Sequence, residues 1–357
     1  MNPTPRSNLL AMLLLMLCIT YVPAEERPIS GKKVPGYEPI DKVVSEFMDT
    51  TGYQAATVAV SKNGRQYYSR GFGWLDESRT KPIPPDALMR IATVTNSITA
   101  AMIKSRIRAR QLSLTTKAFD FIGLKPPEGQ PIDPRISKIT IGQLLDHKGG
   151  WDMEVAYDPM FRGKQIEKDL ALSKPATPMN VVEYMMTQPL QFNPGQKMSY
   201  SNFGYCMLGR AIEKALDKPY SECVQQVICK PLKINDIKLG YGALNKRDSR
   251  EVWYPVAEDL FPFDVMDSHG GLIASAPALC QFLHAYWISG EPRQSGQIQS
   301  WTFIGSFPGT TALVRQRIDG VNVAMLFNGR REKYVKEDIE TLTQGIDKAI
   351  DEVIRGK

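Results

Sequence analysis

Three side chains in this 357-residue chain can exchange a proton near neutral pH without help: His147, His269 and His284. They lie far apart in sequence. No H-E-x-x-H and no paired C-x-x-C spacing accompanies them, so no metal site is expected. Thiol chemistry is the next candidate. Cys206, Cys223, Cys229 and Cys280 remain once Cys18 is set aside as part of an apolar N-terminal run. Cys206 and Cys280 sit inside helical apolar patterns, where buried free thiols are expected. Export would permit a disulfide among the four.

Composition narrows the class. Apolar residues make up 43% and charged residues 23%, values of an ordinary globular protein rather than a disordered or polytopic membrane one. The net charge is +6 without any long Lys/Arg run, which gives no footprint for nucleic acid. Leu9 to Val22 is a 14-residue apolar stretch, short of the about 20 residues needed to cross a bilayer. Val22-Pro23-Ala24 offers a cleavage point. Residues 1–24 therefore read as a signal peptide, with an uncleaved anchor as the alternative, and the mature chain is expected to be periplasmic or extracellular with no transmembrane span.

The elements that must position any site follow from pattern. Residues 25–39 carry Pro28, Pro35 and Pro39 and read as an extended leader. Residues 40–49 have helical periodicity. Strands at 55–61 and 66–72 flank Lys62-Asn63-Gly64, a strong hairpin signal. Residues 93–110 read as a helix with Val94, Ile98, Met102 and Ile103 on one face. Short amphipathic helices are expected at 140–147, 179–188, 203–216, 220–229 and 276–287, separated by Pro or Gly breakers. Strands return at 310–317 and 322–327 around Asp319-Gly320, and a helix from about 334 to 354 closes the chain. The fold class is thus α/β in the α+β sense. One antiparallel sheet is built from both chain ends, with a mostly helical lobe of roughly 110–290 inserted, and a ligand cleft at the junction.

Five ordered segments carry a family resemblance across most of residues 40–350. They are MRIATVTNSITAAMI (89–103), TIGQLLDHKGGWD (140–152), NPGQKMSYSNFGYCMLG (193–209), HGGLIASAPALCQFL (269–283) and FIGSFPGTTALV (303–314). Together they resemble the penicillin-binding-protein and class C β-lactamase-type serine hydrolases, which include D-Ala-D-Ala carboxypeptidases and related esterases. The resemblance implies a β-lactamase/transpeptidase-like domain over 40–357, no cofactor, and a monomer acting on a small molecule or peptidoglycan-type ligand.

At the positions where the resemblance implies catalysis, the residues depart from the pattern. The S-x-x-K nucleophile and Lys are here Thr93 and Asn96. Residues three apart on a helix are neighbours, so a Lys there takes the nucleophile's proton, whereas a neutral amide cannot. The Thr93 methyl restricts χ1 and crowds attack. Ser97 lies about 100° round the helix and is a poor substitute. Tyr200-Ser201-Asn202 keeps the Y-x-N motif. Its phenol, with an ordinary pKa of about 10, needs nearby cations to ionise. The His or Lys of the third motif falls on Phe303, which supplies no charge. Asn202 reads equally as an amide that orients ligand or as a helix N-cap. The oxyanion hole implied by the resemblance is built from backbone, and so is expected to survive at Thr93 and at Ser306 after Gly305.

Candidate replacements for the base are Lys104, about 16 Å along the helix, Lys148, Lys197 and above all His269. The segment between about residue 289 and Trp301 is short for the family, which trims the outer cleft wall. No motif is read in 151–178 or 240–268. The leading expectation is an exported relative that binds a peptidoglycan-type peptide, a β-lactam or a small ester without efficient cleavage. The alternatives are an active hydrolase (esterase, carboxypeptidase or β-lactamase) using Thr93 with a relocated base or a water held by Tyr200, and a non-catalytic envelope interaction protein.

Overall fold

The computed structural model describes residues 27–127, 129–257, 263, 265–293 and 299–355. The expected signal peptide, with Cys18, lies outside them. Among the described residues no helix is long and apolar enough to cross a membrane.

Strands β1 (Ile29–Ser30), β2 (Ala55–Lys62), β3 (Arg65–Gly73), β7 (Trp301–Phe307), β8 (Thr310–Gln316) and β9 (Val321–Phe327) form one antiparallel sheet in the order β1-β3-β2-β9-β8-β7. The two chain ends therefore meet at β2 and β9, as their β-rich composition requires. Asn63 and Gly64 both take positive φ, 50° and 80°, which gives the hairpin turn the twist its strands need. A second, three-stranded sheet was not legible in the sequence. It joins β4 (Met89–Arg90), β5 (Ile237–Leu239) and β6 (Leu272–Ala274). Its strands are too short to show alternation. The expected leader is also more than a leader, because Ile29 and Ser30 pair with Phe72 and Gly71.

The helices are α1 (Glu38–Thr51), α2 (Thr95–Arg108), α3 (Ala118–Ile122), α4 (Ile141–Leu145), α5 (Gly163–Asp169), α6 (Pro178–Met186), α7 (Asn202–Leu216), α8 (Tyr220–Val224), α9 (Lys230–Leu232), α10 (Ala276–Ala285) and α11 (Val335–Arg355). Helix α1 starts on Glu38 and Pro39 and ends on Gly52 at φ 76°, and it buries Ile40, Val44, Phe47 and Met48 along one stripe. It packs with α11, through Leu342, Ile346, Ile350 and Val353, on the sheet face that presents Val58, Tyr68 and Met325. The other face packs against α10 and the turn Ala92–Val94, with α2 and α7 continuing the same core beyond them. Both the α1 and the α11 stripe are apolar every third or fourth residue, which covers the first of these two faces.

All four described cysteines are free and buried. The disulfide that export would permit is not formed. Burial pushes the Cys206 and Cys280 thiols up to about 12, and those of Cys223 and Cys229 up to about 11, so none is a ready nucleophile.

Candidate functional site

The turn before α2 is the pivot of the site. Ala92 takes φ 44°, a left-handed conformation uncommon for a residue with a Cβ, and Ala92–Val94 form a single 3-10 turn. This turns Thr93 out of the core while Asn96, Ser97 and Ile98 go in. Strand β7 lies directly against the turn. A Cβ added at Gly305 would run into the Ile91 carbonyl oxygen and stand 2.7 Å from the Thr93 nitrogen, so only glycine lets the strand come this close. The two-residue Pro308-Gly309 turn makes Phe307 and Thr310 a facing pair, and the pairs alternate from there through Gly305–Ala312. By that alternation the Ser306 N–H points away from β8, to the open edge of β7 beside Thr93. Among the described residues, no acceptor is recorded for the Thr93 N–H. Two backbone donors thus stand near one another at the junction.

The side chains beyond them form one hydrogen-bonded chain. Asn96 Nδ2 donates to the Tyr200 hydroxyl at 3.4 Å, and the Thr93 hydroxyl also engages it. Tyr200 donates to Asn202 Oδ1 at 2.7 Å, and Asn202 Nδ2 donates to Asp158 Oδ2 at 2.6 Å. Asp158 Oδ1 accepts the Met160 N–H at 3.0 Å, capping the turn Pro159–Phe161. Burial raises the Tyr200 pKa, and the charge of Asp158 adds to this against the opposing hydrogen bonds of Thr93 and Asn96. Burial likewise raises that of Asp158. Tyr200 is therefore a neutral phenol whose proton is already committed to Asn202. It cannot take a proton from Thr93 or from a water. Asn202 is the first residue of α7 and not its cap, since Ser201 accepts the Gly204 N–H at 3.1 Å.

The geometry brings Thr93, Asn96, Tyr200, Asn202 and Gly305 together, with Ser306 and Phe303 on the same strand as Gly305. Phe303 pairs with Val314, so the register of β7 is unbroken despite the short preceding segment. The replacement bases do not join them. His269 is 1% exposed, its Nε2 has no partner among the described residues, and burial plus the nearby Arg210 charge push its pKa down to about 3. It sits behind α2, next to Ser268, whose carbonyl accepts the Thr99 hydroxyl, and near the Arg210–Asp267 ion pair. Burial thus weighs against His269 as a relocated base. Lys104 pairs with Glu291 at 3.0 Å, Lys148 with Asp146 at 3.8 Å and Lys197 with Asp152 at 2.7 Å.

Asp158 escaped the sequence reading, and His147 was noted there as a titratable side chain without a place in the site. Asp158 anchors the chain, yet Asp158-Pro159 signals only a helix cap. The His147 ring lies 4.7 Å from that of Tyr200, and its Nδ1 accepts the Ser201 N–H; burial lowers its pKa and keeps it neutral. Asp158→Asn tests the anchor. An amide that keeps its oxygen on the Met160 N–H must turn its NH2 toward the NH2 of Asn202. Asn202 then flips and Tyr200 loses its acceptor. The expected loss is about 1–3 kcal/mol of stability by urea unfolding at pH 7. An unchanged midpoint would show that Asp158 anchors nothing.

A family model described as beta-lactamase matches residues 40–324. The chain belongs to that family. Among curated relatives, a Dichelobacter nodosus protein named FimD, assigned by name to fimbrial assembly (serogroup D), is 35% identical over 267 residues, 71% of this chain and 62% of that protein. Esterase EstB of Burkholderia gladioli is 26% identical over 206 residues, 55% of this chain and 50% of the esterase. The chain thus spans about half to three-fifths of the length of these relatives. A solved structure of D-amino acid amidase from Ochrobactrum anthropi SV3, complexed with L-phenylalanine, superposes with a TM-score of 0.68 at 18% identity, over 90% of this chain and 99% of that one. The family match and this superposition agree on a β-lactamase-family fold for the chain.

Proposed function

We propose that this chain is an exported β-lactamase-family protein that binds a small carbonyl compound at the lobe junction and turns it over very poorly. The observation that carries this reading is the closed, neutral chain Asn96–Tyr200–Asn202 on the anchor Asp158, which leaves the Thr93 hydroxyl with no base while the backbone donors of Thr93 and Ser306 stand ready for a carbonyl oxygen. Donors alone bind; hydrolysis also needs a nucleophile that can lose its proton. The test pairs two measurements. A chromogenic ester and a fluorescent penicillin should be hydrolysed barely above background, with no acyl adduct on Thr93 by intact-mass analysis. A panel of small esters and amides should still raise the melting temperature. Rapid turnover with acylation at Thr93 would reverse the reading.

A second reading, a partner-binding role in envelope assembly, is favoured by the name of the 35% identical relative. It predicts no melting shift with any small carbonyl compound.

A further inference from the structure

On the sheet face covered by α1 and α11, the two helices leave a gap at one end. Between the start of α1, the end of α11 and the β2–β3 hairpin lies a cavity of about 280 Å³. Ile40, Val60, Val321, Ile350 and Val353 form its walls, and all five belong to the buried core under these helices. Lys62, Tyr67 and Ile354 line it too and reach solvent, so they mark its mouth. The sheet separates this cavity from the Thr93 turn, which adjoins the core on the opposite face.

A β-bulge brings Tyr67 to the mouth. Val60 faces Tyr68 and Ser61 faces Gln66, which leaves Tyr67 as an extra residue on β3. In a regular strand it would point away from the face that buries Tyr68, since neighbours alternate. The bulge turns both rings to one side: Tyr68 stacks on Tyr37 in the core, and Tyr67 lines the opening.

The mouth is also cationic. The Arg65 guanidinium lies over the Tyr67 ring at 5.2 Å, and Lys62 stands opposite Arg65 in the hairpin. Among the described residues no ion pair is recorded for either cation. Asp319 senses the Lys62 charge, but its close partner is Arg317 at 3.0 Å. The acidic groups of the flanking helices are engaged or wet. Asp41 holds Arg70 and Asp351 holds Arg317, while Glu38 and Glu352 are exposed, where water and salt screen them.

Water gains little from apolar walls, and an alkyl chain that displaces it buries its own surface together with five aliphatic side chains. The volume sits just below the roughly 300 Å³ at which pockets for drug-sized ligands begin, which suits one chain rather than two. We infer that this cavity is a binding site, separate from the Thr93 junction, for a free fatty acid anion. Its single medium-length chain enters between α1 and α11, and its carboxylate stays at the mouth with Lys62 and Arg65.

The test is titration calorimetry of the purified full chain at pH 7.5 with decanoate, decanol and butyrate. Decanoate should bind about fivefold or more tightly than decanol, the gain of two partly exposed charge contacts, and butyrate should not bind measurably. Lys62→Met with Arg65→Gln should bring decanoate down to the affinity of decanol and leave decanol unchanged. Val353→Phe fills the cavity and should abolish decanoate binding. Ile354→Trp, at an exposed position, is the blocking variant should Val353→Phe fail to fold. A folded blocking variant that binds decanoate like wild type removes the ligand from this cavity and overturns the inference. Decanol bound as tightly as decanoate by the wild type overturns the head-group assignment, and butyrate bound as tightly overturns the chain pocket. No binding of any of the three overturns the site altogether. Since the cavity and the Thr93 junction lie on opposite faces of the sheet, none of these outcomes decides the function proposed above.

Discussion

Restoring the three absent groups at once, as Thr93→Ser, Asn96→Lys and Phe303→His, should raise kcat/KM for a chromogenic ester by about 10³ or more over wild type. Each single change should stay within about tenfold. Catalytic groups that act as a unit are strongly non-additive, and a positioned base contributes roughly 10²–10⁴. Thr93→Ser alone removes a methyl but leaves Asn96 unable to accept the proton. Asn96→Lys alone supplies a base and a cation beside Tyr200, yet keeps the crowded threonine. The scaffold around these positions is in place: β7 holds its register with β8 through Phe303 and Gly305, and Gly305 rests against the Thr93 turn. Initial rates with the purified variants, together with intact mass, measure the effect. A folded triple variant that stays inert would mean that the Asn202–Asp158 tie holds the Tyr200 proton too firmly for the relay to run.

Acidification should destabilise the protein through His269. Its folded pKa of about 3 lies far below the 6.5 of a free imidazole, because burial and Arg210 oppose the charged form. Above pH 6.5 neither the folded nor the unfolded state binds this proton, and stability is full. As pH falls, the unfolded state takes up the proton and the folded state does not. Stability is lost through the window from 6.5 down to about 3. Between pH 7.5 and 4.5 the loss should be about 2–3 kcal/mol. Glu251 has the opposite sign. Buried beside Arg90 at 3.8 Å, its carboxyl is raised by burial to about 7, so its contribution is present below about 4.5 and fades as pH rises through 7. The difference between wild type and His269→Leu isolates the histidine. The wild-type urea midpoint should fall relative to that of His269→Leu as the pH drops, since only the wild type carries this penalty. Parallel curves would show that His269 is protonated in the folded state.

Much of the architecture was written locally. Asn63-Gly64 marks its own hairpin because the turn's positive φ values are a property of those two residues. The stripe of Ile40, Val44 and Phe47 marks a helix with one wet side. Thr140 with Gln143 and Thr177 with Asn180 cap their helices through bonds spanning three residues. The motif segments around Thr93, Tyr200 and Gly305 were legible for the same reason, and so was the loss of charge at Asn96 and Phe303, which is a matter of residue type.

What a group does once folded was decided elsewhere in the chain. Asp158 and Tyr200 are 42 residues apart, and nothing within either segment says that Asn202 joins them. His269 reads as a usable base until the surrounding core strips it of water and the Arg210 charge opposes its protonation. The four cysteines satisfy the arithmetic of disulfides and form none. By itself the sequence determined which backbone shapes and chemical groups are present, because propensity, periodicity and capping act over a few residues. Only the tertiary structure decided which groups are dry, which share a proton and which stand alone, because desolvation and hydrogen bonding depend on neighbours brought in from distant parts of the chain.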